Sequence, residues 1–98
     1  MAKSMNIRRL VLDVDKTVGR PTIIELAQAI APVAGVTGFN IAVTEIDIET
    51  VGTEITVEGE EIDYDQLVHE IERSGAVVHG VDEIAVGSQL IENVKRQR

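Results

Sequence analysis

The sequence contains no cysteine and has few aromatic residues and few positive charges. The absence of cysteine excludes disulfides, zinc sites with thiolate ligands and cysteine nucleophiles, and it fits a cytoplasmic protein. Phe39 and Tyr64 are the only aromatic residues, so the core of a 98-residue chain must be aliphatic. One compact domain is the size that such a chain can form.

The chain has seventeen acidic and nine basic residues, which gives a formal net charge of −8. Nucleic-acid binding rests on Lys and Arg, and single-strand binders also need aromatic residues for stacking. An anionic membrane surface would repel the chain. No apolar run approaches the roughly 20 residues of a membrane span, and the N-terminus lacks the apolar core of a signal peptide. We therefore expect neither nucleic acid nor membrane as a partner.

Hydrophobic periodicity predicts four strands and two helices. Thr22 and Glu25 form a T-x-x-E capping box before the first helix, and Asp63 and Gln66 repeat this pattern before the second helix. A turn at Val51-Gly52 separates the middle two strands, and a β-bulge near Thr44-Glu45 accounts for a change of hydrophobic parity. The predicted strands cover residues 7–14, 39–50, 54–58 and 76–86.

This order of elements predicts an α+β fold, the ferredoxin-like βαββαβ plait. Right-handed crossovers give a four-stranded antiparallel sheet with both helices on one face and the strand order last, first, third, second. We assign residues 6–87 to this domain, residues 1–5 to a loose start, and residues 88–98 to a tail with a short C-terminal helix. The other sheet face carries Val11 and either Val77 or Val81 among charges, so we expect self-assembly into a homo-oligomer.

The plait sorts the acidic residues to two ends of the sheet. Asp13, Asp47 and Glu49 gather at one end with His79, and Asp82 and Glu83 lie at the other. We expect Asp13 and His79 to be close neighbours, because their strands are antiparallel and adjacent. Such carboxylates bind Ca²⁺, Mg²⁺ or Mn²⁺, and these six residues are our candidate metal ligands. Alternate acids on one strand lie about 7 Å apart, so a second strand or subunit must complete the site. The alternative is a solvated acidic edge, with His79 an ordinary surface residue.

The stretch LVLDVDKT resembles the first motif of the haloacid-dehalogenase phosphatases, in which two aspartates act on phosphate. That chemistry needs a parallel strand in a doubly wound sheet, a larger fold than this chain can form. Lys16 also stands where that family prefers glycine. We interpret Asp13 and Asp15 as acids that solvate a strand end, and we expect no catalytic residues.

The segments RRLVLDV, PTIIELAQAI, GVTGFNIAVTEIDIET and VVHGVDEIAVG resemble an archaeal family, domain of unknown function 211. The resemblance implies a single ferredoxin-like domain that assembles into oligomers, without an assigned activity. This sequence departs from the family at Asp15, where members of the family have an apolar residue. GVTGFNIAV is also similar to heavy-metal-associated domains, but the cysteine pair of those domains is missing. The acidic and polar positions that match the family are Asp13, Glu45, Asp47, Glu49, His79, Asp82 and Glu83.

Three functions remain open at this point. The first is a non-enzymatic, oligomeric binding or regulatory module that holds a divalent cation, with any small-molecule ligand unidentified. The second is a small metal-dependent enzyme that uses Asp13 and Asp15, or His79. The third is a monomeric adaptor that binds another protein through its hairpin or its tail. We favour the first.

Overall fold

The computed structural model describes residues 5–94. The strands form one sheet with the order β2-β3-β1-β4, and all three neighbouring pairs are antiparallel. The predicted ferredoxin-like fold and strand order are therefore confirmed. The elements are β1 (Ile7–Thr17), α1 (Ile23–Ile30), β2 (Val36–Ile46), β3 (Thr50–Gly59), α2 (Tyr64–Arg73) and β4 (Val77–Val86).

The core lies between the two helices and one face of the sheet. Alternate residues of β1 and β3 are fully buried, as a half-buried strand requires, and each helix adds one apolar stripe. The core is aliphatic, as expected, and Phe39 and Tyr64 pack at its margin. Its fully buried apolar side chains are Leu10, Leu12, Val14, Leu26, Ile30, Ile55, Val57, Leu67 and Ile71.

Both helices begin at the predicted residues, but only the first has a complete capping box. The Thr22 hydroxyl accepts a hydrogen bond from the Glu25 backbone, and the Glu25 carboxylate accepts one from the Thr22 backbone. In the second helix the Asp63 carboxylate accepts from the Gln66 backbone. The Gln66 side chain instead accepts from the Ala34 backbone and thereby joins α2 to the end of the first crossover.

The structure corrects two predicted strand ends. β1 does not end at Val14 but continues to Thr17, because β3 offers a pairing partner for each further residue. The β2–β3 turn lies at residues 47–49 and not at Val51-Gly52, and the Asp47 backbone N–H donates to the Thr50 carbonyl across it. The bulge is confirmed by a register shift between Val43 and Glu45.

The predicted C-terminal helix is wrong for residues 87–94, which contain bends and no helix. A short isolated helix is marginal in water, and here other contacts hold the segment. The Arg8 guanidinium donates to the Ser88 carbonyl at 2.9 Å, and Arg9 binds the Glu92 carboxylate. The rest of the predicted tail helix, and the start of the chain before Met5, lie outside the described residues. No helix in the described range has the length and apolar character needed to cross a membrane.

Candidate functional site

The sheet face opposite the helices, called the open face below, carries most of the candidate residues. In β1 it presents Arg9, Val11, Asp13 and Asp15, all of which are at least partly exposed. Val77 pairs with Asp15 and so lies on this face, in agreement with one of the two predicted options. Val81 does not, because it pairs with the buried Leu12 and so faces the helix side.

One end of the open face is organised around a single guanidinium. Arg9 Nε contacts the Glu58 carboxylate at 2.8 Å, and Arg9 Nη1 contacts Glu83 at 3.3 Å and Glu92 at 2.8 Å. These carboxylates come from β3, β4 and the C-terminal segment. We call Arg9, Glu58, Glu83 and Glu92 the arginine end. It joins three parts of the chain through one side chain that is only 17% exposed.

The ionisation of the arginine end follows from these contacts. The hydrogen bonds that Arg9 donates to Glu92, Glu58 and Glu83 hold the pKa of Arg9 well above its ordinary value. The bond with Arg9 in turn lowers the pKa of Glu92 below the ordinary glutamate value. Glu83, a predicted metal ligand, therefore has an internal cationic partner. It is less available to a divalent cation than the sequence suggested.

The other end of the open face is acidic. Asp13 lies directly opposite Glu54 in the β1–β3 pair, and both side chains are exposed. Two strand positions further along, Asp15 lies opposite Gly52, which in turn pairs with Glu45 of β2. We call Asp13, Asp15, Glu45 and Glu54 the acidic end. Like charges directly opposite on neighbouring strands destabilise a sheet, so this arrangement has an electrostatic cost.

Gly52 leaves space above β3 that polar groups from both neighbouring strands border. A Cβ atom on Gly52 would lie 3.5 Å from Asp15 Oδ1, 3.3 Å from Thr44 Oγ1 and 3.6 Å from Glu45 Cβ. Thr44 is the extra residue of the predicted bulge, because the register shifts between Val43 and Glu45. The Thr44 hydroxyl and the Asp15 carboxylate therefore both lie within 3.5 Å of the position that a Gly52 Cβ would occupy.

His79 joins the acidic end through Asp15. It lies at a register shift of β4, between the residues that pair with Asp13 and Val14. Its Nε2 is 2.8 Å from Asp15 Oδ2, and the His79 side chain is 54% exposed. The sequence predicted Asp13 as its neighbour, but the backbone partner of Asp13 is Gly80. The extra residue in β4 shifts the histidine by one position toward Asp15.

The remaining predicted ligands lie elsewhere. Asp47 and Glu49 are in the β2–β3 turn, where Asp47 Oδ1 accepts from the Ile48 backbone. Thr50, which borders this turn, lies four residues along β3 from Glu54. The turn is therefore about 13 Å from the Asp13–Glu54 pair. Asp82 is an exposed residue at a second β4 register shift. The six predicted ligands therefore do not form one cluster.

Within residues 5–94 of a single chain, no three side chains of His, Asp or Glu come close enough together to hold a metal ion. The predicted metal binding thus remains a prediction. The acidic end can offer hard oxygen ligands and one imidazole, which suit Ca²⁺, Mg²⁺ or Mn²⁺. These groups could attract a cation electrostatically, but a tight coordination sphere requires more of them at short range.

The stretch that resembles the phosphatase motif does not lie in the strand arrangement that phosphatase chemistry requires. Asp13 and Asp15 lie within an antiparallel strand, not at the end of a parallel strand. Lys16 faces the helix side, where it is 6% exposed and its Nζ donates to the Thr17 carbonyl at 2.7 Å. The aspartates and this lysine therefore lie on opposite faces of β1 and do not form a phosphate site together.

Sequence reasoning did not identify Arg9 as an organising residue, and it left Asp15 and Glu54 out of the ligand set. The signal for Arg9 was present, since an arginine at an open-face position of the central strand β1 has acids on both neighbouring strands. The exact partners depend on the β4 register shifts and on the path of residues 87–94. Neither of these can be read from hydrophobic periodicity.

Comparison with known proteins places these residues in a family context. The family model described as DUF211, uncharacterized ArCR, matches residues 8–98. An uncharacterized protein of Methanocaldococcus jannaschii is 38% identical over 89 residues, which is 91% of this chain and 91% of that protein. Neither description assigns an activity, a ligand or a partner.

Proposed function

The chain belongs to the DUF211 family, and we propose that it is a non-enzymatic, homo-oligomeric binding or regulatory module that holds divalent cations at its acidic end. The observation that carries this proposal is the direct opposition of Asp13 and Glu54 on the open face. Two carboxylates in this geometry repel each other until a cation lies between or near them. Asp15 and Glu45 add further negative charge on the next strand positions.

The electrostatic contrast with the arginine end supports the proposal. There, three carboxylates share one guanidinium, and the fold itself supplies the counter-charge. At the acidic end the one basic side chain found in contact, among residues 5–94, is His79 on Asp15. Since one imidazole faces four carboxylates, a mobile divalent cation is the natural counter-ion.

Exposed apolar side chains support the oligomeric part of the proposal. Val43 and Ile46 of β2, near the β2–β3 turn, are 44% and 73% exposed. Burial of such groups against a second copy would contribute favourable free energy.

A small metal-dependent enzyme is the second candidate. The observation that favours it is the 2.8 Å contact of His79 with Asp15, because a carboxylate that orients an imidazole is a common element of general-base sites. Both groups are substantially exposed, however. The third candidate, a monomeric adaptor, would leave the apolar groups free for another protein.

Native mass spectrometry of the purified protein tests the proposal, with one sample treated with EDTA and one supplied with Ca²⁺, Mg²⁺ or Mn²⁺. Mass alone reports both the number of subunits and the number of bound ions. We expect a defined oligomer that carries divalent ions and loses them on chelation. A metal-free monomer in both samples would contradict the proposal and favour the adaptor.

A further inference from the structure

The two edges of the sheet differ in how well they are protected against pairing with another strand. An edge strand presents unpaired backbone N–H and C=O groups, and proteins protect such edges with bulges, charges or proline. β4 has register shifts around His79 and Asp82, so its regular pairing with β1 is interrupted within a few residues. Asp82 and Glu83 also place two carboxylates near the middle of this edge.

The β2 edge has none of these devices over its central segment. Residues 38–43, with the sequence GFNIAV, pair with β3 in unbroken register and contain no charged residue and no proline. The register shifts of β2 lie outside this segment, on either side of it. Asn40 and Ala42 are exposed, and Val43 is 44% exposed. The segment is therefore a regular, uncharged and accessible template for a further strand.

We propose that the β2 edge pairs with the β2 edge of a second copy of this chain, so that two sheets join into one eight-stranded antiparallel sheet. This inference rests on the oligomeric part of the proposed function and names its interface. A two-fold axis perpendicular to the sheet makes neighbouring β2 strands antiparallel and keeps both open faces on the same side. Open-face residues of one copy then lie opposite open-face residues of the other.

Charge favours this occupant of the β2 edge. Because the central segment is uncharged, two copies can pair in any register centred on Asn40 or Ala42 without placing carboxylates opposite each other. Antiparallel pairing also sends the two Glu45 side chains to opposite ends of the interface. The same operation on β4 would bring Asp82 and Glu83 of both copies together, and like charges oppose that contact.

The chain contains no native cysteine, so introduced thiols give an unambiguous test of the β2 pairing. A variant with Asn40→Cys and Ala42→Cys places thiols at two exposed open-face positions of the segment. Directly opposite Cβ atoms in an antiparallel pair lie about 4.5–5.5 Å apart, close enough for a disulfide after a small adjustment. We expect a covalent dimer after mild oxidation of the dilute protein. The control on the other edge, Val77→Cys with Val81→Cys, places one thiol on each face of β4 and should stay monomeric on a denaturing gel.

An equal mixture of the two cysteine variants distinguishes the alternative arrangement. A disulfide between a β2 variant and a β4 variant would overturn the two-fold pairing in favour of a head-to-tail contact. Absence of any disulfide in the β2 variant, with a circular dichroism spectrum like that of the original chain, would overturn it as well.

A charge at the interface provides an independent measurement. Ala42→Lys places two ammonium groups near the two-fold axis, so we expect the dissociation constant of the dimer to rise at least about tenfold. Val77→Lys makes the same change in net charge on the β4 edge and should leave that constant unchanged. An oligomer that is equally stable in both variants would overturn the edge assignment but not the proposed function. A monomeric original chain would overturn both.

Discussion

The two ends of the open face contain similar residue types but differ in how their charge is offset. At the arginine end, Glu58, Glu83 and Glu92 converge on one guanidinium, and their negative charge contributes to the fold. At the acidic end, Asp13 and Glu54 face each other directly, and Asp15 has a histidine as its partner. A carboxylate cluster therefore indicates ligand binding only where the chain itself does not supply basic side chains that offset its charge. By that criterion the acidic end is the candidate cation site.

We expect the largest difference between the two ends in the stability cost of adding a side chain to a glycine beside each of them. A side chain at Gly59, beside the arginine end, would collide with the backbone of Gly35, whereas a side chain at Gly52 would meet ordinary or slightly tight contacts. We expect Gly59→Ala to lower the free energy of unfolding by roughly 3 kcal/mol or more. Gly52→Ala should change it by less than about 1 kcal/mol, because the lost chain flexibility offsets the tighter packing. Urea unfolding measures both, and equal effects would contradict the described geometry.

Arg9→Met tests whether the arginine end stabilises the fold. The methionine keeps much of the apolar stem but leaves three carboxylates without their guanidinium. We expect a larger fall in Tm than for Arg20→Met, because Arg20 contacts one carboxylate, that of Glu25. Differential scanning calorimetry of the two variants under the same buffer gives the comparison.

The effect of Arg9→Met should also depend on pH. Arg9 lowers the folded-state pKa of Glu92, so this contact stabilises the folded protein above the unfolded-state pKa of Glu92. The contribution is lost as the pH falls through the lower, folded-state pKa. The Tm difference between the original chain and Arg9→Met should therefore be full at neutral pH and shrink in acid. A difference that is unchanged in acid would contradict this role of Glu92.

Neutralisation of the acidic pair should have the opposite sign. Without divalent cations, Asp13→Asn with Glu54→Gln removes a like-charge contact, and we expect an increase of about 0.2–1 kcal/mol in the free energy of unfolding. The control, Glu83→Gln, removes a contact with Arg9 and should destabilise the protein. Chemical unfolding in EDTA at low ionic strength compares them. Destabilisation by the double variant would show that the acidic pair is already stabilised within the chain.

His79→Gln should have the smallest effect. Both members of the His79–Asp15 contact are exposed to solvent, and exposed ion pairs contribute little to stability. We expect the free energy of unfolding to change by less than about 0.5 kcal/mol. A change of several times this size would assign the histidine a structural role that its exposure does not suggest.

The sequence was sufficient to predict the fold because each element carries its own local signal. Thr22 with Glu25 marks the start of α1, alternation in β1 and β3 identifies the core face, and the parity change in β2 locates the bulge. The extension of β1 to Thr17 was missed because its last residues are polar. Their strand conformation depends on pairing with β3, which is a tertiary effect.

The candidate site was predicted less completely for a related reason. Strand polarity predicts two groups of acids, but single-residue register shifts decide which side chains meet. One such shift in β4 pairs His79 with Asp15 instead of Asp13. The tail contributes Glu92 to Arg9 because residues 87–94 do not form the predicted helix. These details depend on packing that local sequence patterns do not encode.

Isothermal titration calorimetry with Ca²⁺, repeated with Mg²⁺ and Mn²⁺, tests most directly whether the acidic end is the cation site. The original chain is compared with Asp13→Asn/Glu54→Gln and with the matched control Glu58→Gln/Glu83→Gln, which removes the same number of charges from the arginine end. We predict saturable binding by the original chain and the control, and an affinity at least about tenfold lower in the acidic-end variant. Equal affinity in both variants, or no binding by the original chain, would contradict the account.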